Sequence, residues 1–135
     1  MEMKKVLLYV LLPATIIFGP FFALGDGAMG CYQSQIDKNP NSESSKNWQL
    51  RLAAISQRTL RYELAAGMYG KFADRYKDDE RRPEALWMKA KNHEYAAQKK
   101  DAIDTLVKLA NEHRNHPRGK DADARLNKEY QYFAR

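Results

Sequence analysis

The chain has few of the residues that build disulfide frameworks, tight turns and β-strands. Its 135 residues include one cysteine, seven glycines and five prolines. A single cysteine excludes a disulfide framework, a cysteine-rich zinc site and the paired cysteines that attach a c-type haem. The sequence also lacks a glycine-rich phosphate loop, a nucleophile elbow and an HExxH motif. We therefore predict no catalytic, cofactor-binding or metal-binding residues, and a protein that is not an enzyme.

Long apolar runs are confined to the N-terminus. Residues 6–24 form an uncharged run of 19 residues that follows Lys4 and Lys5. A helix of that length would extend roughly 28 Å, which is close to the thickness of the bilayer hydrocarbon. The sequence therefore predicts a signal or transmembrane segment over residues 1–30. The two lysines before the run place the rest of the chain outside the cytoplasm, in a bacterial periplasm.

Three fates of this segment remain open. It could be a retained anchor, or it could be cleaved at one of two pairs of small residues that lie two apart, at positions 23 and 25 or 28 and 30. The stretch "AMGC" resembles a bacterial lipoprotein box, which implies lipid attachment at Cys31. Each alternative attaches the folded part to a membrane surface or delivers it to an exported compartment.

Composition divides the remainder into a linker and a folded domain. Residues 32–47 contain Pro40, four serines, three asparagines and a single aliphatic residue, Ile36. This composition predicts a flexible linker over residues 31–46. Residues 47–135 have no alternating strand pattern and are rich in Ala, Leu, Lys and Arg, which predicts an all-α domain.

Apolar residues in this domain recur with the period of an α-helix. They predict five amphipathic helices of roughly 12 to 17 residues, joined by short connections into antiparallel hairpins. The five stripes are Trp48, Leu52 and Ile55; Ala65, Tyr69, Phe72 and Tyr76; Leu86, Ala90 and His93; Ala102, Leu106, Leu109 and His113; and Ala122, Leu126, Tyr130 and Phe133. No glycine or proline lies between residues 57 and 62, so residues 47–76 could form one helix or two.

The chain is similar to itself at a spacing of 37 residues. That shift places Ala65 on Ala102 and Tyr69 on Leu106, and it aligns apolar with apolar positions across both helix pairs. An internal repeat of helix pairs is the prediction.

The repeat resembles the tetratricopeptide repeats. Leu86, Ala90, His93, Ala102 and Leu106 stand at the spacings of that motif's Trp, Gly, Tyr, Ala and Phe positions. The amino-acid sequence of the repeat region is most similar to the repeats of exported bacterial envelope proteins, such as the Tol-Pal coordinator and outer-membrane assembly lipoproteins. The resemblance implies about two and a half helix hairpins over residues 47–135, with longer connections than in the standard 34-residue unit.

The histidines and acidic residues have structural interpretations. His113 and His116 lie three apart beside Glu112, but the repeat places His113 at a core position and His116 before a proline. Residues 78–80 are acidic, yet two arginines follow at once, which is typical of a solvated turn. Met68 and Met88 lie at helical spacing and are predicted to be core.

Charge and aromatic residues indicate possible contact surfaces. The formal net charge is +6, which favours an acidic protein partner or anionic lipid headgroups over nucleic acid because basic and acidic residues alternate. Arg51, Arg58 and Arg61 are predicted to share a helix face. A further set of candidate anchors lies near the C-terminus: Tyr130, Tyr132 and Phe133.

Two functional hypotheses follow. The first is a non-enzymatic, membrane-attached scaffold or accessory subunit that uses its repeats to assemble a membrane or periplasmic complex. The alternative is a periplasmic lipoprotein that binds a peptide or small ligand on the repeat surface. A short array leaves apolar surface at its ends, which favours the first hypothesis.

Overall fold

The described part of the chain is entirely helical. A computed structural model describes residues 26–130, and these form six α-helices and no strand. The helices are α1 (Asp26–Lys38), α2 (Glu43–Arg58), α3 (Tyr62–Arg75), α4 (Arg82–Tyr95), α5 (Lys99–Glu112) and α6 (Pro117–Glu129). The predicted all-α class and the five helices of the C-terminal domain are confirmed.

The chain divides after Pro40 into two units, with α1 in one and α2–α6 in the other. The linker predicted over residues 31–46 is therefore too long, because α1 extends to Lys38 and α2 begins at Glu43. Within α1, the Gln33 amide donates to the Asp37 carboxylate one turn later, at 3.2 Å. Of the four serines in this stretch, Ser34 lies in α1 and Ser44 and Ser45 lie in α2. The Ser42 hydroxyl accepts a hydrogen bond from the Ser45 amide at 3.1 Å and caps α2.

Residues 47–76 form two helices. At the end of α2, Leu60 has a φ of 60°, which is left-handed backbone. The Leu60 amide donates to the Gln57 carbonyl at 3.0 Å, and the Arg61 amide donates to the Ser56 carbonyl at 2.9 Å. These two bonds are those of a Schellman motif, which ends a helix without glycine here.

Helices α2–α6 pack in chain order. Each contacts the next one, and α4 also contacts α6. The core between them is formed by residues of the predicted stripes together with Ala53, Ala66 and Ala73. The residues that are at most 1% exposed are Leu52, Ala53, Ala65, Ala66, Phe72, Ala73, Leu86, Ala90, Ala102, Leu106, Leu109 and Ala122. Trp48 is an exception, since it is 40% exposed.

The 37-residue repeat is present in the backbone. Ala97 lies 37 residues after Leu60 and has a φ of 59°. Its amide donates to Glu94 at 3.0 Å, and the Gln98 amide donates to His93 at 2.8 Å. The α2–α3 and α4–α5 turns are therefore the same structure, which confirms the repeat of helix pairs.

Residues 1–25 of the predicted membrane segment lie outside the described residues, and residues 26–30 belong to α1. Between residues 26 and 130, every helix falls short of the length and apolar character needed to cross a bilayer. The role of the apolar run at residues 6–24, as an export signal or a membrane anchor, stays a prediction.

Candidate functional site

An open groove lies between α2 and α4. Its volume is about 420 Å³, within the range of roughly 300–1,000 Å³ found for ligand pockets. We call it the α2–α4 groove, and its lining residues are Leu50, Arg51, Ala54, Tyr69, Arg81, Glu84, Ala85 and Met88. The surface is mainly apolar, with charged side chains at the rim.

The groove exists because small residues face each other across it. Ala54 of α2 and Ala85 of α4 both line it, and neither has a side chain long enough to fill the space. Helix α3 packs against both α2 and α4, so Tyr69 of α3 reaches the floor between them. This arrangement leaves a slot between the first helices of two successive hairpins.

Tyr69 provides a polar group at the floor. The residue is 6% exposed, and no described residue forms a hydrogen bond with its hydroxyl. Burial, with a smaller contribution from the nearby Glu84 carboxylate, raises the pKa of Tyr69 above its ordinary value of 10.0. The hydroxyl therefore stays protonated at neutral pH and can donate to a carbonyl or carboxylate of a bound segment.

The rim carries one cation that is not neutralised. Arg51 is exposed, and its guanidinium lies 5.5 Å from the centre of the Trp48 ring. No carboxylate of the described residues pairs with it. Glu84 is neutralised, because Arg118 donates to it at 2.6 Å and 3.0 Å. The rim therefore favours a negatively charged group near Arg51.

Two equivalent side-chain contacts link successive hairpins beside the groove. Arg81 donates to the Asn47 side chain at 2.7 Å, and Arg118 donates to Glu84 at 2.6 Å. In each contact the partner lies 34 residues before its arginine. The two contacts are related to each other by the 37-residue repeat, which places Asn47 on Glu84 and Arg81 on Arg118. These bonds fix the spacing of α2, α4 and α6 along the groove face.

Asp79 anchors the turn that precedes α4. Its carboxylate accepts from the Arg81 guanidinium at 2.8 Å and from Lys46 Nζ at 3.1 Å. The bond from Arg81 is the main cause that holds the pKa of Asp79 well below its usual range. Asp78 and Glu80 are exposed, but the Asp79 side chain is only 6% exposed. The prediction of a solvated turn is therefore wrong for Asp79, because two cations pair with it inside the fold.

Arg82 joins three helices on the other side of α4. Its Nε donates to the Ala73 carbonyl at 2.8 Å, and its Nη2 donates to Glu112 at 2.6 Å. Its Nη1 lies 2.8 Å from His113 Nε2. Since a guanidinium only donates, His113 must accept, and so it is neutral.

The three histidines are used within the fold. His113 contacts Arg82, His116 Nδ1 accepts from the Arg118 amide at 3.1 Å and caps α6, and His93 Nδ1 lies 2.7 Å from Gln98 Oε1. Between residues 26 and 130, no group of three or more His, Cys, Asp or Glu side chains is placed to hold a metal ion.

The predicted arginine face is only partly present. Arg51 and Arg58 lie seven residues apart on α2, and both are exposed. Arg61 lies outside α2, since the helix ends at Arg58 and Arg61 caps α3. The left-handed residue Leu60 separates them, so the prediction that all three share one helix face is wrong.

The other candidate residues are dispersed. Cys31 is exposed on α1, and its acylation stays a prediction. Tyr130 is 6% exposed and donates to Glu94 at 2.7 Å; burial and this bond raise the pKa of Tyr130 to about 12. Little of its ring is left for a partner. Tyr132 and Phe133 lie outside the described residues.

Sequence reasoning missed the groove residues on α3 and α4. Tyr69 belongs to a predicted core stripe, which its burial supports, but it also lines the groove. Met88 is half-buried at the groove wall, whereas Met68 is in the core as predicted. No pattern in the sequence marks the groove, because Ala54 and Ala85 are not equivalent positions of the 37-residue repeat.

The comparisons with known proteins place the chain in no family. No family model and no curated protein matches it. The resemblance to tetratricopeptide repeats therefore stays a prediction from the residues.

Proposed function

We propose that this chain is a non-enzymatic interaction module that binds an acidic segment of a partner protein in the α2–α4 groove. The observation that carries the proposal is the combination of an apolar slot, a buried hydroxyl donor at its floor and the exposed, unpaired Arg51 at its rim. An apolar side chain of the segment fits the slot between Ala54 and Ala85. A neighbouring carboxylate pairs with Arg51.

A helical repeat suits this role. Successive hairpins, each closed by an equivalent turn and linked to the next by an equivalent arginine contact, form a rigid surface on which the first helices of each pair lie side by side. Rigid sites lose little entropy on binding. These features support a tetratricopeptide-like array of about two and a half hairpins, in which the groove face receives the partner.

The net charge agrees with an acidic partner. The chain has a formal charge of +6, so a negatively charged segment is attracted before contact and associates faster at low ionic strength. Arg58, two turns after Arg51 on α2, extends the positive charge along the same helix.

Binding is tested with full-length protein and two pools of synthetic peptides. In one pool acidic residues flank an aliphatic or aromatic residue, and in the other lysine replaces each acid. Fluorescence anisotropy should show binding of the acidic pool alone, weakened by salt. Equal affinity for the lysine pool would rule out the proposed charge selection.

Matched variants locate the site. Arg51→Glu reverses the rim charge, and Ala54→Phe fills the slot; each should weaken binding by about tenfold or more. Lys71→Glu on α3 and Ala124→Phe on α6 make the same changes at exposed positions outside the groove. If these controls weaken binding as much as the groove variants, the groove is not the site.

We further propose that residues 1–30 attach the module to a membrane, with the repeats outside the cytoplasm. The lysines before the apolar run and the absence of basic residues up to Lys38 support this orientation. Washing membranes with carbonate should leave the protein bound. A Cys31→Ser variant separates the two modes of attachment, since an anchored chain stays bound at full length, whereas a lipoprotein is released or accumulates unprocessed.

A further inference from the structure

A second surface lies at the end of the hairpins that carries the α2–α3 and α4–α5 turns. It consists of Leu60, Tyr62, Lys91 and Tyr95, which we call the turn patch. Leu60 is 71% exposed and Tyr95 is 51% exposed. The Tyr62 and Tyr95 rings lie 5.1 Å apart, and Lys91 Nζ lies 5.9 Å from the Tyr95 ring. None of the four lines the α2–α4 groove.

The fold gains nothing evident from leucine at position 60. The residue has a φ of 60°, a region that glycine occupies without the steric strain of a side chain. The equivalent turn of the second hairpin forms the same hydrogen bonds with Ala97, so the turn does not require a large side chain. A strained and exposed leucine is the kind of local conflict that accompanies a functional surface.

The backbone beside Leu60 is already satisfied. The amides of Thr59, Leu60 and Arg61 donate to the carbonyls of Ile55, Gln57 and Ser56, at 3.0, 3.0 and 2.9 Å. An unpaired amide would oppose transfer of this turn out of water. Here the turn can enter an apolar environment with its donors paired.

Basic side chains border the patch. Arg58 ends α2 and Lys100 lies in the first turn of α5, and both are exposed. Lys91 is part of the patch itself. The nearby Glu63 carboxylate accepts a hydrogen bond from Gln98 at 3.0 Å, which links the two turns. The apolar tip is therefore flanked by cations, with a tyrosine pair between them.

We propose that the turn patch docks on a bilayer that contains anionic lipids. Leu60 enters the boundary of the acyl chains, the Tyr62 and Tyr95 rings lie at headgroup level, and Arg58 and Lys91 contact lipid phosphates. Aliphatic, aromatic and basic groups take these depths at a membrane interface. A protruding leucine on a turn fits a deformable lipid surface better than a rigid protein groove. The proposal does not depend on the α2–α4 groove.

The test uses full-length protein with Cys31→Ser and one reporter cysteine that carries an environment-sensitive dye. Ala97→Cys places the dye beside the patch and leaves its four residues intact. Glu80→Cys places it in the α3–α4 turn, at the other end of the hairpins. In vesicles of phosphatidylcholine with phosphatidylglycerol, the dye at 97 should shift to the blue and be quenched by lipid-borne quenchers. The dye at 80 should do neither, and pure phosphatidylcholine should give a weaker shift at 97.

Variants in the dye-97 background identify the groups responsible. Leu60→Gly removes the leucine while relieving the left-handed strain, so it should abolish the shift in a protein that stays folded. Arg58→Gln and Lys91→Gln should each weaken vesicle binding by the patch, roughly fivefold for each charge. Val107→Ala, which trims an exposed apolar side chain on α5, should leave the shift unchanged.

Four results would overturn the proposal. They are equal behaviour of the dyes at 97 and 80, a shift that persists in Leu60→Gly, no shift of the dye at 97 in anionic vesicles, and a shift that appears only when a soluble protein is added. The last result would identify the patch as a site for a protein partner.

Discussion

Leu60 and Ala97 have the same left-handed backbone, with φ values of 60° and 59°, at positions 37 residues apart. Each lies two residues after the last residue of the first helix of a hairpin, and each is followed by an amide that donates to a carbonyl five residues earlier. Conformations that are rare outside glycine seldom recur by chance at the period of a sequence repeat. The backbone of these two turns therefore shows the 37-residue repeat more clearly than the side chains do.

Replacing Ala97 with glycine should stabilise the protein. Alanine in a left-handed conformation costs about 1–2 kcal/mol, and glycine removes this strain while adding about 0.4–1 kcal/mol of unfolded-state entropy. We expect a net gain of about 0.5–1 kcal/mol in the free energy of unfolding, measured by urea denaturation followed by circular dichroism. Ala96→Gly, one residue earlier with a φ of -82°, should not stabilise. A loss of stability in Ala97→Gly would contradict the turn geometry.

The sequence predicted the features that depend on period. Alanines at positions 65 and 102 are both fully buried, and their shared spacing was enough to find the repeat and its helix pairs. Periodicity works here because a core position in one unit must be a core position in the next.

Features that depend on side-chain reach could not be predicted in this way. The turn at Leu60 has no glycine to mark it, so the sequence does not decide whether residues 47–76 form one helix or two. The bonds from Arg81 to Asn47 and from Arg118 to Glu84 join residues 34 apart, which become neighbours only when the helices are packed. The groove was missed for the same reason, because it is the space left between Ala54 and Ala85.

Gly119 should be intolerant of any side chain. It lies in the first helical turn of α6, where a Cβ atom would collide with the carbonyl group of His113. The obstacle is backbone, so neither helix can yield without moving the α5–α6 turn. Gly119→Ala should cost about 2–3 kcal/mol or more of stability, measured by thermal unfolding.

Gly67 provides the control for this change. A Cβ atom at position 67, within α3, meets nothing within 4 Å. Gly67→Ala should therefore stabilise by about 0.5–1 kcal/mol, since alanine is the better helix former. If Gly119→Ala is as well tolerated as Gly67→Ala, the close approach of α6 to the end of α5 is wrong.

Asp79 should contribute more to stability than its neighbour Asp78. Asp79→Asn weakens the bonds from Arg81 and Lys46 and should cost about 1.5–3 kcal/mol, whereas Asp78→Asn at an exposed position should change stability by about 0.5 kcal/mol or less. Because the pKa of Asp79 in the fold is below the ordinary 3.8, its stabilisation is present above that pH and is lost as the pH falls further. Equal effects of the two substitutions, measured by urea denaturation, would show that Asp79 does not anchor the turn.

His113 should make stability depend on pH in the range where imidazole titrates. Burial first, and then the positive charge of Arg82, lower the pKa of His113 below 6.5. The unfolded chain therefore binds this proton more tightly than the folded one, and stability is complete above about pH 6.5 and decreases as the pH falls below it. Protonation would also place two cations against each other, since Arg82 Nη1 lies 2.8 Å from the ring nitrogen.

The variant that tests this is His113→Gln, whose amide oxygen can still accept from Arg82 but does not titrate. Urea midpoints measured from about pH 7.5 to about pH 5.5 should fall in the native protein and stay more nearly level in the variant. Asp79 does not complicate the comparison, because its lowered pKa means that its contribution to stability changes only in more acidic solutions. The same decrease in both proteins would mean that another group carries the pH dependence. A stability that rises as the pH falls would reverse the sign and show that His113 gains its proton on folding.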